Sequence, residues 1–129
     1  MQMMYIPQEM DYSMYGYARK DRQFDAEQFI PMLNKMSRDR NGSRTVQNWI
    51  EAATDEEKEL IFQELMKDAL SLIKDQFGNY VFQKIFEVGL NKHKKRTLEL
   101  IKGRICDLSY NTFGCRVVQK ALEYIRNMY

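Results

Sequence analysis

Residues 78–87 read Gly78-Asn79-Tyr80-Val81-Phe82-Gln83-Lys84-Ile85-Phe86-Glu87. Wound as a helix, the stretch puts two amides, Asn79 and Gln83, on one face with the Tyr80 ring beside them, and turns Phe82, Ile85 and Phe86 the other way. A hydrogen-bonding face is thus backed by an apolar stripe. The pattern occurs 36 residues earlier, as Gly42-Ser43-Arg44-Thr45-Val46-Gln47-Asn48-Trp49-Ile50-Glu51, and 36 residues later, as Gly114-Cys115-Arg116-Val117-Val118-Gln119-Lys120-Ala121-Leu122-Glu123. Copies in register at one fixed period mark a repeat array.

The segments between the copies supply the rest of each unit. Phe29, Ile30, Leu33 and Met36 recur at helical spacing, with Asp25 or Gln28 as the start and Pro31 in the first turn, where its missing N–H is tolerated. Gly42 is expected to break this helix and permit a tight turn into the next, which runs to about Ala53 with Val46, Trp49 and Ile50 inward. Thr54-Asp55-Glu56-Glu57 is a capping box for a third helix striped by Leu60, Ile61, Leu65 and Met66. In the second unit Ala69, Leu70, Leu72 and Ile73 form the first helix, and Gly78 and Gly89 bound the second. Asn91 caps a third helix carrying Leu98, Leu100 and Ile101, and Gly103 closes it. The third unit begins with Ile105, Cys106 and Leu108, turns at Gly114 and runs through Ile125, with no packing helix after it. Val118, Leu122 and Ile125 are therefore expected to lack their cover, which suggests a fragment of a longer array or, alternatively, pairing through that end. Three helices per unit and stacking between neighbours predict an all-α solenoid with one continuous core.

Composition agrees with a single globular domain: 129 residues, 44% apolar and 29% charged. No apolar run approaches the roughly 18 residues that cross a bilayer. Residues 1–22, rich in Met and Tyr and without period, are read as a disordered tail, and 23–129 as the repeat domain of about two and a half to three units. The start of the chain lacks the pattern of a secretory signal, so the expected compartment is the cytoplasm. Cys106 and Cys115 show neither metal-ligand spacing nor a disulfide framework, and no metal or cofactor is expected. The net charge of +2 hides an asymmetry, because residues 1–65 carry 8 Lys and Arg against 12 Asp and Glu, and residues 66–129 carry 12 against 6. That excess is too mild to define a polyanion binder by itself.

In the blocks 39–51, 75–87 and 111–123 the same residue stands at three places: Gly42, Gly78 and Gly114; Gln47, Gln83 and Gln119; Glu51, Glu87 and Glu123. The turn accounts for the glycine. The glutamine is harder to explain structurally, since an exposed helix position accepts Glu, Lys or Arg as well. These blocks resemble the recognition helices of the pumilio (PUF) family of RNA-binding repeats: Gly-Asn-Tyr-Val-Phe-Gln-Lys and Gly-Cys-Arg-Val-Val-Gln-Lys closely, and Gly-Ser-Arg-Thr-Val-Gln as a first-repeat version. The resemblance covers about residues 27 to 126 and corresponds to the family's repeats one to three. It implies a right-handed superhelix that reads one base of single-stranded RNA per repeat. By the family's code Ser43 with Gln47 would read adenine, Asn79 with Gln83 uracil and Cys115 with Gln119 adenine. Protein and RNA run antiparallel, so the implied target is 5′-AUA-3′. Arg44, Tyr80 and Arg116 would stack between bases. The resemblance further implies a messenger RNA 3′ untranslated region as partner, and translation-repression or deadenylation proteins as further partners in post-transcriptional regulation.

Other features read more simply. His93, within Asn91-Lys92-His93-Lys94-Lys95-Arg96, belongs to a basic cluster suited to phosphate or nuclear import, but better explained as a solvated helix start. Lys84 and Lys120 are solvated or reach phosphate. Cys106, Met32 and Met36 are read as core, Cys115 as a base contact. No nucleophile has a base near it in sequence and no phosphate-binding glycine loop is present, so an enzyme, with a small-molecule substrate, is disfavoured. The competing readings are an armadillo or HEAT scaffold for a peptide, and a pumilio-like nucleic-acid binder without sequence preference.

Overall fold

A computed structural model describes residues 26–128; the tail expected over 1–22, and Asp25 as a helix start, lie outside that range. The described residues form α1 (Ala26–Phe29), a 3-10 turn (Ile30–Met32), α2 (Leu33–Ser37), α3 (Arg40–Ala52), α4 (Asp55–Met66), α5 (Ala69–Ile73), α6 (Gly78–Val88), α7 (Asn91–Lys102), α8 (Ile105–Tyr110) and α9 (Gly114–Met128), with no strand among them. The order is short helix, recognition helix, packing helix twice over, then short helix and recognition helix. Pro31 changes the start. It stands at the head of the 3-10 turn and splits the expected first helix into α1 and α2, because its ring cannot continue a helix begun before it.

Side-chain caps, not glycine turns, open the recognition helices. Asp39 Oδ2 accepts from the N–H groups of Asn41 (3.1 Å) and Gly42 (2.8 Å). Asp75 Oδ2 does the same for Phe77 and Gly78, both at 2.8 Å. Asn111 Oδ1 accepts from Phe113 (3.0 Å) and Gly114 (2.7 Å). Each cap satisfies two of the amides that a helix start leaves orphaned. The expectation of tight glycine turns is therefore corrected: no described glycine has positive φ, and Gly42 lies inside α3. What the glycines permit is close approach. A Cβ on Gly42 would sit 2.4 Å from the carbonyl oxygen of Met36 in α2, and one on Gly78 would sit 2.5 Å from that of Leu72 in α5.

The capping box at Thr54 forms as expected: Glu57 N–H donates to Thr54 Oγ1 (3.2 Å), and Thr54 N–H donates to Glu57 Oε1 (2.9 Å). In α7 the cap position belongs to Leu90, and Asn91 is the first helical residue, which corrects its expected role. Recognition helices α3, α6 and α9 pack side by side in chain order, each with a short helix against it. Their apolar stripes join the packing helices in one core, in which Leu33, Trp49, Leu65, Leu72, Phe82, Ile101 and Leu108 are fully buried. Phe29 lies 4.7 Å from the Trp49 ring, so the start of the described chain covers that end of the core. At the other end the expectation of uncovered residues holds for Leu122 alone: Val118 is buried in the core and Ile125 is half-buried. Leu98, Ile101, Val118, Leu122 and Ile125 line a cavity of about 300 Å³, and Leu122 is 55% exposed.

Three apolar positions do not face inward as expected. On α4 the buried line is Ile61, Phe62 and Leu65, which leaves Leu60, about 100° round the helix from Ile61, exposed. On α8 only Leu108 is buried; Ile105 and Cys106 are exposed, on the side of the helix turned away from the core. Met36 is buried and Met32 packs at the edge of the core.

His93 departs from the sequence reading in the opposite direction. It is buried, stacked on Phe62 at 4.3 Å between centroids, with Nε2 2.8 Å from Glu59 Oε1 on the neighbouring packing helix. Lys92 meets the same carboxylate at 2.9 Å, and Gln63 donates to its other oxygen at 2.7 Å. Hydrogen bonds from Lys92, then His93, then Gln63 hold the Glu59 carboxyl down at about 2, against an ordinary 4.5. A carboxyl depressed by folding contributes stability that is fully present above 4.5 and is lost as pH falls through its folded value. Thermal melts followed by circular dichroism should show the midpoint falling between pH 4.5 and 2, and Glu59→Gln should shrink that fall. An identical pH profile in the variant would exclude this carboxylate as the source.

Candidate nucleic-acid interface

The nine candidate side chains occupy three equivalent sets near the starts of α3, α6 and α9. The first position of each set is tied back to a backbone carbonyl three residues earlier. Ser43 Oγ donates to Arg40 O (3.2 Å), Asn79 Nδ2 to Gln76 O (3.0 Å) and Cys115 Sγ to Thr112 O (3.3 Å). Ser43 and Asn79 are buried and Cys115 is half-buried. Asn79 makes more bonds than its counterparts. Its Nδ2 also donates to Asp75 O (2.8 Å), and its Oδ1 accepts from Gln83 Nε2 (2.9 Å).

The second position of each set projects outward: Arg44 and Arg116 are exposed and Tyr80 is 42% exposed. Arg116 Nη1 donates to the Tyr80 hydroxyl at 3.0 Å, with its guanidinium carbon 6.0 Å from the Tyr80 centroid and 5.6 Å from that of Phe113. Residues 36 apart on adjacent helices thus meet directly. A base sandwiched between the two planes would need about 7 Å, twice a van der Waals contact, against the 6.0 Å that separates the guanidinium carbon from the Tyr80 centroid. At the third position Gln47 and Gln83 are half-buried and Gln119 is exposed. The structure therefore joins Asn79 to Gln83 and Tyr80 to Arg116. Ser43, Arg44, Gln47, Cys115 and Gln119 bond to no other member of the nine.

Beside this row runs a line of charge. Lys84 bridges Glu51 (3.0 Å) on the preceding recognition helix and Glu87 (3.5 Å) on its own. Lys120 bridges Glu87 (2.9 Å) and Glu123 (4.0 Å) in the same way. Burial alone would lower the Lys84 ammonium, but the hydrogen bond and charge of Glu51, with Glu87, raise it. The hydrogen bond to Glu87 raises Lys120, and the same bond lowers Glu87. These contacts explain the glutamate shared by the three blocks and give Lys84 and Lys120 carboxylate partners where sequence offered solvent or phosphate. The signal was present as Lys three residues before Glu in two blocks, facing a Glu one unit back. Exposed pairs are individually worth little, so the ladder adds little to stability beside the buried core.

The arrangement of helices is shared with known proteins. The model of the Pumilio-family RNA binding repeat matches residues 33–66, 68–101 and 104–127. Pumilio homolog 1 of Xenopus laevis is 45% identical over 93 residues, covering 72% of this chain and 8% of that protein. The mRNA-binding protein puf3 of Schizosaccharomyces pombe is 46% identical over 90 residues, covering 69% of this chain and 12% of that protein. This chain thus spans a small part of the length of those relatives. Among solved structures, the Puf3 RNA binding domain bound to a Cox17 RNA 3′ UTR recognition sequence superposes with a TM-score of 0.73 at 36% identity, over 84% of this chain and 32% of that one.

Proposed function

This chain belongs to the Pumilio family of RNA-binding repeat proteins, a binding rather than a catalytic class, and from that we propose that it binds single-stranded RNA by sequence, one base to each recognition helix. Ser43 with Gln47, Asn79 with Gln83 and Cys115 with Gln119 read the base edges, and Arg44, Tyr80 and Arg116 stack between bases. The target is 5′-AUA-3′ with its 3′ adenine on the first repeat, in a messenger RNA 3′ untranslated region like the one named for the Puf3 structure. The output is regulation of translation or stability of that message. The observation that carries this reading is the contact between Tyr80 and Arg116: the second positions of adjacent repeats meet each other, as side chains that share a base between them must. Two or three bases must first offset an association cost of several kcal/mol, so micromolar affinity or weaker is expected.

Fluorescence anisotropy with nine-nucleotide RNAs centred on AUA, and on the variants of its middle base, tests the assignment. Asn79→Ser combined with Gln83→Glu should move the preference from uracil to guanine, because a carboxylate accepts from both guanine N–H donors. Equal binding of all four RNAs by the unmodified chain would instead support a binder without sequence preference.

A further inference from the structure

Resting on the base-reading role just proposed, we infer that Glu51, Glu87 and Glu123 are specificity residues: by engaging Lys84 and Lys120 they withhold two point charges from RNA phosphates, so that a strand is held through its bases. Each of these glutamates stands four residues after a glutamine of the proposed base-reading row, Gln47, Gln83 or Gln119. That spacing puts it on the same helix face one turn further on, about 5–6 Å away. The lysines follow Gln83 and Gln119 directly, and Asn48 takes that place on the first recognition helix. Neither lysine is turned out to solvent. Lys84 lies between Glu51 (3.0 Å) and Glu87 (3.5 Å), Lys120 lies between Glu87 (2.9 Å) and Glu123 (4.0 Å), and their side chains are 20% and 27% exposed. Three carboxylates thus enclose two ammonium groups, and the line of charge beside the row is net negative.

The arginines of the row are treated differently. Arg44 and Arg116 have no carboxylate partner among the described residues, and Arg116 turns to the rings of Tyr80 and Phe113. A guanidinium is planar and stacks on a base, whereas an ammonium is a compact point charge that serves a phosphate whatever base it carries. The row therefore leaves free the cations that profit from a base and covers those that need none. Binding of a single strand through its phosphates is indifferent to sequence, and its log affinity falls with log salt by about 0.7 for each phosphate neutralised. A lysine released here would reward any strand that laid its backbone on the helices. It would not reward a base-read strand in the same measure, because a nucleotide whose base edge meets Gln83 holds its phosphate a base and a sugar away from the helix. Release of the lysines thus favours wrong sequences over AUA.

The test is Glu51→Gln combined with Glu87→Gln, which takes both charged partners from Lys84 and the nearer one from Lys120 while keeping side-chain shape. Anisotropy on the full chain compares nine-nucleotide RNAs centred on AUA and on a scrambled sequence, across about 50–200 mM salt. At low salt the scrambled RNA should bind roughly two- to fivefold tighter, the worth of one exposed ion pair, with a salt slope steeper by about 0.7. AUA should bind nearly as before, so the ratio of AUA to scrambled affinity falls by the same factor. Adding Lys84→Gln should return that ratio to its value in the unmodified chain. Glu56→Gln combined with Glu99→Gln makes the same change of net charge at exposed positions of the packing helices and should leave the ratio alone. Circular dichroism checks that each variant folds. A ratio and slope that stay put in the first variant, or that move as far in the packing-helix control, overturn the inference alone; an unmodified chain that binds AUA no better than the scrambled RNA overturns the base-reading role beneath it, and the inference with it.

Discussion

Gly78→Ala is expected to destabilise the fold by about 1–3 kcal/mol, the range for forcing extra atoms into a packed site. On helix propensity alone the change should help, because alanine is favoured over glycine by up to about 1 kcal/mol in a helix. The sign is decided by contact. The new Cβ would lie 2.5 Å from Leu72 O and 3.1 Å from Leu72 C and Cα, all of them backbone, so no side chain can swing away and α5 must shift from α6. The same applies at Gly42, where Met36 O lies 2.4 Å away. Gly103 is the control: its nearest neighbour is 3.9 Å away and its φ of −76° suits alanine, so Gly103→Ala should be neutral or slightly stabilising. For a domain of about this size each kcal/mol moves the midpoint by about 4–8 °C. Thermal melts that rank Gly78→Ala at or above the unmodified chain would show that close approach is not what the glycine serves.

The repeat was legible because a 36-residue period in glycine, glutamine and glutamate survives any error in helix boundaries. The array, the order of helices within a unit, the capping box at Thr54 and the exposure of Leu122 on α9 follow from pattern and local chemistry, and the structure contains them. What was not legible depends on partners distant in sequence. His93 looked solvated within a run of cations because Glu59 and Phe62, which enclose it, stand 34 and 31 residues earlier on another helix. Lys84 and Lys120 looked free because Glu51 and Glu87, their partners, each lie one repeat back. The glycines were ascribed to turns because sequence gives no view of the helix lying 2.4–2.5 Å from where their Cβ atoms would be. The caps at Asp39, Asp75 and Asn111, by contrast, could have been found: an Asp or Asn three residues ahead of each glycine is a local signal at the same period.

The proposed base-reading face shows the same division, and Tyr80 brings out its consequence for binding. As the stacking residue between the first and second slots, its ring would contact both the 3′ adenine and the uracil, and stacking is worth about 1–3 kcal/mol per base. Tyr80→Ala should therefore weaken AUA binding roughly 10- to 100-fold, more than removal of any single edge contact. The ring is 42% exposed and lies outside the buried core, so the melting midpoint should hardly change. Tyr80→Phe separates the ring from the hydroxyl. It keeps the stacking surface but removes the 3.0 Å bond from Arg116, so a base entering between the two side chains no longer has to displace that bond. Phenylalanine should bind AUA as well as tyrosine does or slightly better, with the gain in association rate, because that bond opposes entry. Stopped-flow anisotropy on the unmodified chain and both variants gives the two quantities together. An alanine variant that binds like the unmodified chain would remove Tyr80 from the interface; a phenylalanine variant that binds as poorly as alanine would assign its effect to the hydroxyl, and with it the stacking role would fall.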